Sequence, residues 1–483
     1  MKSPSVDVLV VGAGLSGIGA AYYLKTLCPR RSFTIIEARE RLGGTWDLFQ
    51  YPGIRSDSDM YTFGFEFHPW RNPKAIADGP SILAYLKETA RTYGIDEKIE
   101  YKKRLVRAEW SSEDGLWTVD VEDVATGDVA QRTCRFLYLC AGYYEYDKGY
   151  TPDFPGRERF AGPVIHPQHW PQDLDYADKR VVIIGSGATA VTLVPELAKK
   201  AAHVTMLQRS PTYVMSRPER DPLAKAISSV FPASAAYRVT RWKNVALGMA
   251  FYNYCRRFPD HAKRLLVGAV EKQLGAGMDA AKHFTPRYDP WNQRLCAVPD
   301  GDLFAAIREG RASVVTDTIE TFTEKGIKLT SGAELEADII VTATGFNLRF
   351  LGGAELVVDG RKVQGKSTMV YRGMMLSDVP NLAFAIGYTN ASWTLKTDLT
   401  GKYVSRLLNH MEEHGKTKVV AVQDDPTVTP EPVIDFSSGY VLRAIEHIPR
   451  QGSKRPWRVY QNYVLDTLAL GRGKIDDGVL RFA

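Results

Sequence analysis

Twice in this chain a short apolar strand runs straight into a glycine-rich turn that opens a helix, and that repeated pattern constrains the fold more than any other feature. The first copy is V-D-V-L-V-V-G-A-G-L-S-G, with Gly12, Gly14 and Gly17 at the spacing of a dinucleotide fingerprint. The second is R-V-V-I-I-G-S-G-A-T-A, with Gly185, Gly187 and Ala190 in the three positions, and Ala188 and Thr189 at the helix opening. The first glycine of such a turn permits the tight bend. The second lets the backbone approach a pyrophosphate, and the third lets helix and strand pack closely. The phosphates then rest on the positive end of the helix. Two copies predict an α/β chain with two Rossmann-like dinucleotide-binding domains.

The residues after each loop separate the two ligands. Glu37 closes the strand F-T-I-I-E twenty positions after Gly17, where a carboxylate would accept from ribose hydroxyls and repel a 2'-phosphate. Glu37-Ala38-Arg39 leads into Gly43-Gly44-Thr45-Trp46, a second glycine pair of the kind flavoproteins place near the pyrophosphate and flavin. FAD is therefore expected at the first loop, with Arg39, Gly44, Thr45 and Trp46 as contacts. The strand after the second loop ends in Gln208-Arg209-Ser210, a cation where the first has a carboxylate. Arg209 suits the 2'-phosphate of NADPH, although a strand-end charge can also be merely solvated.

The order of further cues predicts that one domain is inserted in the other. Leu139-Cys140-Ala141-Gly142 reads as an outbound crossing, Asp338 to Phe346 (D-I-I-V-T-A-T-G-F) as the return, and Asn381 to Gly387 as a late strand. The FAD domain is thus expected to be discontinuous, over 1–145 and 379–483. The NADPH domain would occupy 146–220 and 288–378, interrupted by a helical insert at 221–287. Asp221-Pro222 is a good helix opening, and Asp260 is read as another, its helix stopping at Gly275. Between Arg238 and Arg264 seven Lys or Arg stand against one acid, Asp260, with Trp242, Phe251, Tyr252 and Tyr254 among them. Two readings stay open for this stretch: a solvated basic helix face, or a peripheral contact with an anionic membrane surface.

Composition narrows the function classes. At 483 residues, 44% hydrophobic and 24% charged, the chain has room for roughly three globular domains. Apolar runs fall well short of the roughly 20 residues of a membrane span, and the strand at Val6 leaves no room for a secretory leader. Five cysteines without a C-x-x-C pair fit a reducing, cytoplasmic setting and argue against a disulfide framework, a zinc site and disulfide-reductase chemistry. A net charge of +6 gives no case for nucleic acid. Neither G-x-S-x-G nor H-E-x-x-H occurs, so hydrolase chemistry has no support.

Two longer motifs carry a family resemblance. Residues 160–171 hold Phe160, Gly162, His166, Trp170 and Pro171 as F-x-G-x-x-x-H-x-x-x-W-P, in a proline-rich linker just before the second loop. Residues 43–57 read G-G-x-W-x4-Y-P-G-x3-D, ending at Asp57. Both resemble signatures of type I Baeyer–Villiger monooxygenases, flavoenzymes that insert one oxygen of O2 beside a ketone carbonyl to give an ester or lactone. The sister N- and S-oxygenating flavoenzymes normally carry an aromatic and a basic residue where Trp170-Pro171 stand. Y-D-P-W-N-Q-R-L-C, 288–296, is similar to the segment with the family's active-site arginine, which implies that role for Arg294; with V-P-D-G-D-L-F and G-Y-T-N-A-S-W-T-L-K it is most similar to the ethionamide-activating branch. Gln293 stands where many members have a lysine for the NADP phosphate, so that contact is not carried over.

The resemblance implies FAD and NADPH as cofactors and O2 as co-substrate, with ketones, and also sulfides, as substrates. Arg294 would be the fixed cation beside the reacting oxygen and Asp57 its anchor near the flavin. His166 is read as an interdomain hydrogen-bonding residue rather than a catalyst. His166-x-x-His169, broken by Pro167 and lacking a third ligand, is not a metal site. Trp393 lines the substrate pocket or belongs to the core. Two other functions remain in view, an N- or S-oxygenase and a non-catalytic flavin-binding redox sensor.

Overall fold

Val8, Leu9 and Val10 are buried on both faces of the first strand, the mark of a strand in the middle of a covered parallel sheet. The computed structural model describes residues 5–275, 277–434 and 438–483. Positions 1–4, 276 and 435–437 of the expected segments 1–145, 221–287 and 379–483 lie outside the described residues. In the first sheet β1 (Val6–Val11) pairs in parallel with β2 (Phe33–Glu37) on one side, and β2 with β3 (Ile99–Tyr101). β4 (Lys103–Ser111) and β5 (Leu116–Asp123) form an antiparallel meander that feeds β6 (Val129–Leu139). The long β6 does two jobs. Its first half pairs with β5, and its second half pairs in parallel with β1 and with the late strand Leu382–Phe384.

A second, five-stranded sheet is parallel throughout, in the order Ala312–Thr316, His203–Gln208, Arg180–Ile184, Ile339–Thr342, Val164–Ile165. Its strands all fall between those of the first sheet, so the first domain is discontinuous. The architecture is α/β with two Rossmann-like units. Leu15–Leu27 follows the first loop and packs on the long helix Trp393–Glu413, closely enough that a Cβ at Gly401 would meet the Tyr23 ring at 2.5 Å.

Two expectations are corrected. The chain rejoins the first sheet well before position 379, because Glu355–Val358 pairs in parallel with β4 and continues it. The apolar pair Leu356–Val357 is buried there, a strand too short to stand out in sequence. Asp260 does not cap a helix: Phe258 is the cap and Pro259 takes the first helical position, where its fixed φ and missing N–H cost nothing. Asp221 does cap Pro222–Val230, accepting from Ala224 N at 3.0 Å, and Gly275 (φ 74°) does end Pro259–Leu274.

In the insert, Pro222–Val230, Ala233–Arg257, Pro259–Leu274 and Ala280–Phe284, the basic stretch divides: Arg238, Arg256, Arg257 and Arg264 are exposed, and the other three make internal contacts. Arg241 turns inward and is buried. It donates to the carbonyls of Tyr61 and Gly64, each at 2.8 Å, and lies 3.7 Å from the buried Asp398. Lys243 pairs with Asp221 and Lys263 reaches the Pro286 carbonyl. Arg241 thus rivets the long helix of the insert to the first domain. No helix among the described residues is long and apolar enough to cross a membrane.

Candidate functional site

Both glycine loops open on one cavity of about 1140 Å3. Each loop has the backbone its spacing demands. Gly12 lies at φ 102° with its Cβ position 2.7 Å from the Cys140 carbonyl oxygen, and Gly185 at φ 137° with its own 2.3 Å from that of Ala343. A side chain at either would collide with the neighbouring strand end. Gly17 would place a Cβ 1.8 Å from the Gly12 carbonyl; it closes the turn from within and does not line the cavity. The other expected cofactor contacts all do, from Gly14 and Gly44 to Arg209.

The cavity suits two dinucleotides. The helices Leu15–Leu27 and Ala188–Leu197 begin at Gly14 and Gly187 without a side-chain cap and without an acid in the first turn. Their free N–H groups and positive ends face an open space that fits phosphate. Nothing stands within 4 Å of a Cβ at Gly187. Glu37 accepts from the N–H of Ala13 at 2.7 Å and of Arg39 at 2.9 Å, so the carboxylate also locks the first loop. Burial pushes the Glu37 carboxyl up, and the two backbone donors pull it back. Arg39 is held by Asp47 at 2.7 Å, and Arg209, exposed, points its strand end into the second half of the cavity.

Asp57 and Arg294, 237 positions apart, meet in this cavity. Arg294 donates through Nε (2.9 Å) and Nη2 (2.6 Å) to one oxygen of Asp57, and through Nη1 to the Thr389 carbonyl at 3.2 Å. The Arg294 side chain is 37% exposed, with the cavity as its open side. The Asp57 charge raises its already high pKa, so the guanidinium is a permanent cation. The fork fixes both its place and its plane.

The linker motif sits apart from the cavity and works as a clasp. His166 Nδ1 accepts from the Gln168 N–H at 3.2 Å, which leaves Nε2 to donate to the Gly345 carbonyl at 3.1 Å, on the return crossing. Gln168 donates to the carbonyls of Glu145 and Tyr146 on the outbound crossing, each at 2.9 Å. One short segment thus grips both chain crossings. Burial pushes the His166 imidazole down, and the ring stays neutral at ordinary pH. Gly162 is demanded by close approach, its Cβ position lying 2.4 Å from the Asp338 carbonyl oxygen. Trp170 is buried in a cluster with Phe49 and Tyr51, Phe160 packs edge-on against Phe322, and Pro171 is exposed.

An aromatic wall completes the site; Trp393 is expected from sequence, and Tyr143 and Tyr144 are not. Tyr143 and Tyr144, just past the outbound glycine, bring their hydroxyls within 3.1 Å, and Tyr143 stacks on Trp393 at 5.2 Å. Trp393 is tied through Nε1 to Ser16 at 2.8 Å, so it is both lining and anchor. Tyr51, Tyr146 and Tyr440 also line the space, and burial pushes the first two phenols up to about 12. No metal-binding cluster exists among the described residues.

Residues 75–421 match the model of the flavin-binding monooxygenase-like family, and 10–77 that of an NAD(P)-binding Rossmann-like domain. The chain is 54% identical over 479 residues to the FAD-containing monooxygenase EthA of Mycobacterium tuberculosis, covering 99% of this chain and 98% of that one. It is 49% identical to the probable FAD-binding monooxygenase AlmA of Acinetobacter baylyi, covering 99% and 96%. In fold it is similar to an oxidised steroid monooxygenase bound to NADP (TM-score 0.78, 21% identity, 99% of both chains). It is likewise similar to cyclohexanone monooxygenase bound to ε-caprolactone (0.75, 18%, 99% of both).

Proposed function

The chain belongs to the flavin-binding monooxygenase-like family, and we propose that its reaction is a Baeyer–Villiger oxidation. A ketone, O2, NADPH and a proton give an ester or lactone, NADP+ and water. Held at the loop of Gly12 and Gly14, FAD would supply the activation of O2, with NADPH at the loop of Gly185 and Gly187 as the source of electrons.

The observation that carries this reading is the Arg294–Asp57 fork in the wall of the shared cavity. Adding oxygen to a carbonyl builds negative charge on oxygen, and a fixed cation that needs no reorganisation stabilises it. Arg294 is that cation. Asp57 positions it and offsets part of the cost of holding it away from bulk water. Electrophilic oxygen transfer to nitrogen or sulfur gains less from such a cation, so sulfides are a secondary substrate class. Tyr143, Tyr144 and Trp393 narrow the cavity and exclude water around the reacting groups. His166 and Gln168 keep the two nucleotide units in register. The five cysteines, free and buried, suit a cytoplasmic enzyme. In the insert Arg241, Lys243 and Lys263 serve internal contacts, which leaves Arg238, Arg256, Arg257 and Arg264 as its exposed basic residues.

The test is product analysis by mass spectrometry after incubating the FAD-loaded enzyme with NADPH, air and a panel of linear, cyclic and aromatic ketones plus a sulfide. Esters or lactones one oxygen heavier than the ketone are expected. Sulfoxide alone would favour the S-oxygenase reading. NADPH consumption indifferent to every substrate would favour a redox sensor.

A further inference from the structure

On the far side of Arg294 lies a second chamber, of about 80 Å3. Five residues line both spaces and form the wall they share: Tyr143, Arg294, Tyr388, Trp393 and Tyr440. Past them the wall is largely apolar, with Phe350, Phe384, Ile386 and Val459. Among the described residues one charged group lines the chamber without reaching the large cavity, Lys396.

Lys396 is 3% exposed and stands one turn past Trp393 on the helix Trp393–Glu413, on the same face. Its Nζ donates to Asp466 at 2.9 Å and reaches the Arg372 carbonyl only at 3.4 Å. Asp466 also accepts the Tyr388 hydroxyl at 2.7 Å. An ammonium carries three N–H donors, so one strong and one long bond leave donor capacity at the chamber wall. As a clamp between two helices this pair is a costly choice, since apolar side chains of similar volume commonly hold such a contact as well or better. Burial pushes the Lys396 ammonium down, and the Asp466 carboxylate beside it offsets part of that shift.

We infer that Lys396 is a specificity-determining residue, donating a hydrogen bond to a neutral oxygen at the far end of a substrate whose reacting carbonyl lies at Arg294. The substrate class is a ketone bearing a hydroxyl or second carbonyl a few carbons away along an apolar chain. A carboxylate is disfavoured because Asp466 already balances the Lys396 charge. The chamber matches about three water volumes and takes a chain segment of roughly that many heavy atoms. The inference rests on the oxygenation reading for the position of the reacting carbonyl.

The test uses the FAD-loaded enzyme without NADPH and reads dissociation constants from the flavin absorbance change. The probes are linear methyl ketones from pentanone to octanone, each beside its isostere with a hydroxyl in place of the terminal methyl. At the best-fitting length the wild type is expected to prefer the hydroxy-ketone by about 10- to 100-fold, the range of a hydrogen bond to a charged group. Lys396→Met is expected to bring that ratio close to one. No preference at any length in the wild type, or an unchanged ratio in the variant, overturns the inference. Should Lys396→Met fail to load FAD, Val459→Trp decides: filling the chamber must weaken both ligands, and undiminished binding would put them elsewhere. Binding is read without turnover. A preserved preference with no ester formed on adding NADPH would therefore count against the oxygenation reading and leave the chamber assignment standing.

Discussion

Replacing Arg294 by alanine does two things at once, and the structure allows them to be separated. The first is loss of a fixed cation beside the reacting oxygen, which typically costs about 100- to 1000-fold in rate. The second is exposure of Asp57. Both bonds from Arg294 end on a single Asp57 oxygen, so the variant turns a neutral pair into a bare carboxylate in the cavity wall. At about 6 Å and an effective dielectric of about 20, a like charge opposes a developing oxyanion by roughly 3 kcal/mol, with water in the cavity lowering that figure. Arg294→Ala should therefore lose at least about 1000-fold in ester formation. The double variant Arg294→Ala/Asp57→Ala should recover about 10-fold, because the leftover charge is gone. Asp57→Ala alone should be mildest, about 10-fold, since Arg294 keeps its charge and its bond to the Thr389 carbonyl. NADPH consumption, ester yield and hydrogen peroxide would be measured together on all three, with FAD content as the control for folding. Consumption should continue in each while peroxide replaces ester. Near-normal coupling in Arg294→Ala would show that the catalytic cation is misassigned. A double variant no better than the single would show that the Asp57 charge is not felt.

Arg209→Ala should lower the preference for NADPH over NADH by about 10- to 100-fold, through the Michaelis constant for NADPH, because only that cofactor carries a 2'-phosphate. Equal losses with both cofactors would make Arg209 structural. His166→Ala removes the bond from the linker to the Gly345 carbonyl and should leave FAD bound while turnover slows or uncouples; a colourless apoprotein would show that the linker serves folding instead. Arg241→Ala strips the donor from the carbonyls of Tyr61, Thr62 and Gly64 and leaves the buried Asp398 without its cation. A destabilisation of about 3–5 kcal/mol is expected from denaturant unfolding, and a change near zero would mean that the insert is held by packing alone.

The parts of this molecule legible in sequence are those where backbone geometry leaves no choice of residue. Gly12 and Gly185 are dictated by carbonyl oxygens 2.7 and 2.3 Å from their Cβ positions, and Gly162 by another at 2.4 Å. Such constraints are local, so they surface as motifs. Arg241 shows the opposite case. Its neighbours in the chain are basic and aromatic, which suggests a surface, but its partners are carbonyls at the end of the short helix Met60–Phe63, about 180 positions away. The last carbonyls of a helix need a donor, and no local pattern says that a distant arginine will supply it. The return strand Glu355–Val358 escaped for a related reason, because four residues are too few to show a period.

The proposed reactive end of the site and its proposed selective end differ in the same way. Asp57 and Arg294, proposed for the reaction, lie in motif-bearing stretches, and the family resemblance of those stretches singles both out. The chamber beyond them draws Tyr143 from the outbound crossing, Phe384 from a late strand, Lys396 from a helix interior and Val459 from a loop. Each reads as an ordinary residue of its own element. Lys396 in particular looks like any lysine on an amphipathic helix until the fold sets Asp466 and Tyr388 beside it. Chemistry common to many substrates can rest on a few invariant geometric demands. Selection among substrates rests on whatever side chains happen to meet at the wall, so it becomes visible only when the chain is folded.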